Sequence, residues 1–203
     1  MKIAIIGHGN VGGARAQKWS KKGHEIIIGA RNVHDQKVQN LLRLDNITAK
    51  TVAEAAKLCD VILVATPAHI VPELIDQVGN IAGKVVIDAT NAIQKKPSPY
   101  PTAYHAFKDQ SGAEVVKCFN TTGFENMLNP SYDLAALDMF MAGDDNKAKE
   151  VAIQLALDCG FEQCIDFGGA DKVELLEKFA LSWINLAILQ GHGRDIGFKL
   201  LRR

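Results

Sequence analysis

Gly7-His8-Gly9-Asn10-Val11-Gly12 stands between a short apolar run, Lys2 to Ile6, and a stretch of helical period over about residues 10 to 22. A G-x-G-x-x-G pattern has physical content only in that strand-turn-helix setting. There Gly7 permits the tight turn, Gly9 lets the backbone approach a pyrophosphate, and Gly12 lets the helix pack closely on the strand, its N-terminus facing the phosphates. The unit from Lys2 to Ile28 also has nearly the expected ~30 residues. The chain is therefore expected to open with a βαβ unit that holds a dinucleotide.

The rest of the sequence repeats that rhythm. Apolar runs recur at Glu25 to Ile28, Val61 to Ala65, Val85 to Ile87, Glu114 to Phe119, Met139 to Ala142 and Phe161 to Ile165. Runs this short and apolar on both sides belong to a sheet covered on both faces. Helices are expected between them at about 35 to 44, 52 to 58, 70 to 78 and 146 to 158, with Thr51 and Glu54 in capping-box spacing and Gly23, Gly79 and Gly160 as stops. The fold class is α/β, a Rossmann-type doubly wound and mostly parallel sheet with a C-terminal helical segment. A chain of 203 residues has room for one filled core and a small appendage. The expected division is residues 1–168 as the nucleotide-binding domain and 169–203 as the helical segment. Pro97-Ser98-Pro99-Tyr100-Pro101 breaks the alternation and predicts an irregular excursion.

Which dinucleotide is decided at the end of the second strand. NAD-selective sites place a carboxylate there for the ribose hydroxyls, whereas this chain reads Ile28-Gly29-Ala30-Arg31-Asn32. NADP(H) is favoured, with Arg31 to stack on adenine and pair with the 2′-phosphate, and Asn32 and Lys37 to assist. Two further strand ends, Val64-Ala65-Thr66-Pro67 and Asp88-Ala89-Thr90-Asn91, fall at the edge of a parallel sheet where ligands bind. Small residues there admit a nicotinamide ribose, and Thr66, Thr90 and Asn91 offer it hydrogen bonds; each is equally consistent with an ordinary turn leaving a strand.

Other chemistries find no support. No G-x-S-x-G nucleophile motif occurs, and Gly79 to Lys84 misses a P-loop by one residue and by the following Ser or Thr. The six histidines show no i, i+4 pair, so no metal is expected. Cys59, Cys118, Cys159 and Cys164 follow no paired spacing and read as buried thiols. His69 and His105 could serve as acid or base, but rim or surface positions are the plainer reading, since nothing fixes a partner. With 23 basic and 23 acidic residues there is no electrostatic case for nucleic acid or an anionic membrane. The start directly at a strand leaves no room for a signal peptide, and a cytoplasmic address is expected.

With these motifs in place the chain resembles the NADP oxidoreductase family typified by coenzyme F420-dependent NADP reductases. The likeness is carried by the glycine loop and by residues 29 to 32, 64 to 67, 87 to 91, 116 to 121 and 191 to 199. It is also similar to the cytosolic NADPH-binding domain of six-transmembrane metalloreductases. The resemblance implies hydride transfer between nicotinamide C4 and a stacked flavin or deazaflavin such as coenzyme F420, which needs alignment more than acid-base groups. A non-catalytic NADP(H)-sensing module and a reductase of a small imine or ketone are the alternatives. The resemblance sets Asn120, Thr121, Thr122 and Gly123 and the Gly191 to Gly193 loop around the acceptor pocket. Phe124 and Trp183 either cover it or pack in the core or at a dimer contact, the plainer role for aromatics. Archaeal deazaflavin enzymes of the family have a glycine loop one residue longer and a histidine in place of Asn120, which leaves the acceptor open. The catalytic residues stay unassigned, with Asn120, Thr121 and His69 as pocket candidates.

The last expectation concerns assembly. Residues 171 to 190 form a helical pattern with Val173, Leu176, Phe179, Ala180, Trp183, Ile184, Ala187 and Ile188 on one stripe, and Leu175, Leu181, Leu186 and Leu189 off it. A helix apolar on more than one side needs more cover than one sheet provides, so a homodimer is expected.

Overall fold

In β1 (Lys2–Ile6), Ile3 and Ile5 point to one face and Ala4 and Ile6 to the other, and all four are at most 2% exposed. A strand apolar on both faces can lie only at the centre of a covered sheet. The computed structural model describes residues 1–203 and places it there.

The elements that follow are α1 (Asn10–Lys21), β2 (Glu25–Gly29), α2 (Gln36–Leu41), β3 (Ile47–Lys50), α3 (Val52–Leu58), β4 (Val61–Val64), α4 (Val71–Val78), β5 (Val85–Asp88), α5 (Ala103–Gln110), β6 (Glu114–Cys118), α6 (Phe124–Leu128), β7 (Asp138–Ala142), α7 (Asn146–Asp158), β8 (Gln163–Asp166) and α8 (Val173–Ile184). The eight strands lie in the order β3-β2-β1-β4-β5-β6-β7-β8, and every pair is parallel except β6 with β7. The first six reproduce the Rossmann order, whose reversal point falls between β1 and β4. Side chains of α1, α2, α6 and α7 fill the core on one face, and those of α3, α4, α5 and α8 fill the other. Each fully buried isoleucine in the central strands contributes about 1.5–3 kcal/mol relative to exposure.

The expected strands and helices are present within a few residues. Three elements were not expected. β3 is an edge strand in which only Ile47 is buried, so no apolar run marks it. α5 follows directly on the proline-rich excursion, and α6 is five residues long, too short to show a period. β6 stops at Cys118 rather than Phe119 because Phe119 turns to a φ of 62°, left-handed backbone that ends a strand.

The C-terminal helix opens with a 3-10 turn at Ala170–Lys172 and ends in a wide π-type turn at Asn185–Leu189. Val173 and Leu176 join the sheet core, while Leu175, Leu181, Leu186 and Leu189 are all exposed. The tail then returns over the sheet: the Trp183 indole donates to the Ile196 carbonyl at 2.7 Å, and Phe198 stacks on Phe179 at 4.4 Å. No helix is long and apolar enough to cross a membrane. All four cysteines are free; Cys164 is half-buried and the other three are buried.

Candidate functional site

The glycine loop has the geometry its spacing implies. Gly7 adopts a φ of 99°, and a Cβ there would lie 2.4 Å from the Ala65 carbonyl oxygen, so the loop after β1 rests directly on the loop after β4. A Cβ on Gly12 would lie 1.8 Å from the Gly7 oxygen and 3.2 Å from Ile5 Cγ2, which is the close helix-strand packing expected. Above Gly9 there is open space, and Gly9 heads α1 with no side chain capping the free amides. A helix N-terminus with exposed donors and no side chain in the way fits a pyrophosphate.

Two cavities flank this loop. One, of about 300 Å³, lies toward β2 and is lined by Gly7, His8, Gly9, Arg31, Ala65, Thr66 and Pro67, with Ile70 and Leu74 of the next turn and helix. Arg31 is exposed and its guanidinium has neither ion pair nor hydrogen bond, and no carboxylate follows β2. Asn32 does not line the cavity; its Oδ1 accepts from the His34 N–H at 3.0 Å and shapes the turn that carries Arg31. Lys37 sits apart, in a shallower groove with Gln17 and Asn40 on the outer side of α1 that touches the first cavity only through His8 and Gly9.

The other cavity, of about 260 Å³, lies beyond Asn10 and Val11 and is lined by Asn91, Asn120, Thr122, Gly123, Phe124, Ala180, Trp183, Ile184 and Arg194. Asn91 and Asn120 clasp each other: Asn91 Nδ2 donates to the Asn120 carbonyl at 3.0 Å, and Asn120 Nδ2 donates to Asn91 Oδ1 at 3.0 Å. The backbone carbonyl fixes which end of Asn91 is the amide nitrogen, and Asn91 fixes Asn120 in turn. Asn120 Oδ1 is left buried without a partner, as are Thr66 Oγ1, Thr90 Oγ1 and His8 Nδ1. Four of the molecule's seven such atoms thus gather at the carboxyl edge of the sheet, and three of them, on His8, Thr66 and Asn120, belong to residues lining the two cavities, where a ligand would satisfy them.

Arg194 is held at the mouth of this second cavity. Its Nε and Nη2 donate to the two Glu125 oxygens at 2.5 and 3.0 Å, and its guanidinium carbon lies 5.6 Å from the Phe124 ring centre and 5.3 Å from that of Trp183. Burial raises the Glu125 pKa, but the Arg194 hydrogen bonds outweigh it and the carboxyl sits below its usual range; the same pairing raises Arg194.

Several sequence expectations land elsewhere. Ala65, Thr66 and Pro67 share a cavity with Arg31, not with Asn91. Thr90 is buried behind Asn91, and Thr121 is buried with its hydroxyl toward Met139 Sδ at 3.9 Å, so neither lines the second cavity. His69 is exposed on the turn at Ala68–Ile70 and lines neither cavity, which removes it as a pocket residue. His105 pairs with the Thr102 hydroxyl at 2.8 Å on α5, away from both. Phe124 and Trp183 line the second cavity, Trp183 buried and Phe124 half-buried against the core. Sequence reasoning missed Arg194, although it lies within the Gly-His-Gly-Arg segment, and it missed Lys117 and Glu177. A lysine inside the apolar run Val115 to Cys118 was the available signal, since a buried lysine needs carboxylate partners.

The fold and the open glycine loop define a dinucleotide-binding α/β protein. Residues 2–92, from β1 through the loop after β5, match the family described as NADP oxidoreductase, coenzyme F420-dependent. The resemblance carried by the motifs is to this family, and the match takes in the glycine loop and the strand ends at 29 to 32, 64 to 67 and 87 to 91. Among solved structures, a candidate F420-dependent NADP reductase from Arthrobacter sp. FB24 superposes with a TM-score of 0.86 at 24% identity, covering 100% of both chains. A hypothetical protein from Sinorhizobium meliloti gives 0.71 at 22% identity, over 100% of this chain and 96% of that one. The reductive aminase from Aspergillus terreus, in complex with NADPH and ethyl-5-oxohexanoate, gives 0.64 at 18%; 94% of this chain is covered but only 60% of the aminase. At these identities the superpositions establish the fold.

Proposed function

We propose that the protein binds NADP(H) across the two cavities and passes hydride between it and a flat conjugated acceptor of the flavin or deazaflavin class. The observation that carries this reading is the second cavity. It is walled by Phe124 and Trp183, floored by the Asn91–Asn120 clasp, and Arg194 is the only ionisable residue lining it. Reduction of a ketone calls for a positioned proton donor, whereas transfer between stacked rings calls for alignment and exclusion of water. In this reading Arg31 receives the 2′-phosphate and stacks on adenine, and Thr66 lies on the adenosine side. The amides after Gly9 hold the pyrophosphate, and Asn120 Oδ1 accepts from the carboxamide or ring substituents beyond it. Bound NADPH would supply the hydride.

The test is a titration of both cofactors followed by an acceptor panel. NADPH should bind at least tenfold tighter than NADH, about 1.4 kcal/mol, and Arg31→Ala should remove most of that gap. Equal affinities in the wild type would end the NADP(H) reading. NADPH oxidation should then appear with FMN, FAD, riboflavin or a deazaflavin. Tight binding with every acceptor unreduced would replace the reductase by a cofactor-sensing module, and turnover of cyclic imines alone would replace the flat acceptor.

The same proposal includes a homodimer formed over the exposed leucines of α8 and the turn after it. A single species of about 44 kDa, twice the 22.0 kDa chain, is expected in sedimentation at micromolar concentration, and a monomer there would overturn it.

A further inference from the structure

Beneath residues 90–92 lies a charged cluster that the binding reading does not use. Lys117 is fully buried; its Nζ donates to Asp88 Oδ2 at 3.0 Å, to Glu177 Oε1 at 2.5 Å and to the Thr90 carbonyl at 2.5 Å. Asp88 Oδ1 accepts from the Thr90 N–H at 2.9 Å, and Glu177 Oε2 accepts from the Ala92 N–H at 2.9 Å. All four carboxylate oxygens therefore face donors. Two carboxylates against one ammonium leave one net negative charge. Asp88 is fully buried and Glu177 is 7% exposed.

That excess is unnecessary for neutralising Lys117. Asp88, its direct cross-strand neighbour, would do so alone, and a second buried carboxylate adds desolvation cost. The cluster holds the Thr90 carbonyl and the Ala92 N–H, on either side of Asn91, which lines the cavity assigned to the nicotinamide and its acceptor; the three charged residues lie behind that lining. Lys96, Glu174 and Lys178 approach Glu177 only from the opposite side, through a shallow cavity of about 140 Å³, where they are exposed and screened by water.

We propose that the Asp88–Lys117–Glu177 cluster both fixes the 90–92 floor and, through its net negative charge, favours the oxidised, positively charged nicotinamide over the reduced, neutral one. Bound NADPH is thereby made the stronger hydride donor, with Glu177 acting as a positioning and electrostatic residue from the C-terminal helix. This rests on the NADP(H) reading above.

The test compares equilibrium affinities for NADP+ and NADPH and requires no acceptor. In Glu177→Met the Asp88–Lys117 pair stays balanced, so the fold should survive. The ratio Kd(NADP+)/Kd(NADPH) should rise about fifteenfold, the size of one unit charge acting over roughly 10 Å at an effective dielectric of about 20. Glu177→Gln should raise it similarly, Glu177→Asp should keep it near the wild-type value, and Glu174→Gln, on the solvent side, should move it less than about twofold. If Glu177→Met fails to fold, the Gln and Asp variants make the same comparison. A wild-type protein that binds both forms, with variants that weaken both equally or leave the ratio unchanged, would overturn the electrostatic role alone. A wild type that binds neither form would overturn the cofactor reading and this inference with it.

Discussion

Two cations are buried on opposite faces of the sheet, and they are accommodated in opposite ways. Lys117 on β6 has two carboxylates and a carbonyl around one ammonium. Arg15 on α1 has no carboxylate at all: it donates to the Met127 carbonyl, its Nε and Nη1 are unpartnered, and its guanidinium lies over Trp19, Phe119 and Phe161 at 5.9, 5.3 and 6.0 Å. Burial pushes its pKa below the usual value. The difference reflects the ions. An ammonium is a compact, strongly hydrated charge that needs counter-charges when dry, whereas a guanidinium is flat, weakly hydrated and suited to aromatic faces. Each also braces one side of the second cavity. Arg15 packs against Phe119, whose left-handed backbone directs the chain into Asn120, and Lys117 holds the carbonyl one residue before Asn91.

The contrast can be broken most sharply at Lys117. Lys117→Ala leaves two buried carboxylates facing each other without a cation, and a loss of about 3–5 kcal/mol is expected in denaturant unfolding at pH 7. A cost below about 1 kcal/mol would show that water reaches the cluster. Arg15→Met should behave differently. It removes a desolvated charge and two unpartnered donors while leaving the Met127 carbonyl unpaired, two effects of similar size and opposite sign, so stability should stay within about 1.5 kcal/mol of wild type. A loss above about 3 kcal/mol would mean the aromatic cage stabilises the guanidinium more than its desolvation costs.

Much of the fold was legible because its signals are local. The glycine spacing, the double-sided apolar runs and the capping box Thr51–Glu54, which forms as expected, each depend on residues a few positions apart. β3 escaped notice because an edge strand needs apolar residues on one face only, and Ile47 alone carries its burial. Within the site, Arg31 was readable from a missing carboxylate at a fixed offset. His69 misled because a histidine one turn past a strand end can face either way, and here the 3-10 turn leaves it in solvent.

The sequence by itself determined the strand-turn-helix at the glycine loop, the alternation that makes a doubly wound sheet, and the excess apolar surface of α8. Tertiary structure alone decided which charges meet. Asp88 and Lys117 are opposite one another because β5 and β6 are paired in register, and Glu177 reaches them from a helix 60 residues beyond Lys117. It also decided that Thr66 and Asn91, both at strand ends, serve different cavities, since the loop and helix that begin at Gly7 pass between them. The physical reason is common to these cases. Periodicity records which side of an element is buried, whereas a buried polar group is settled by whichever partner the packing of distant elements brings within hydrogen-bond reach.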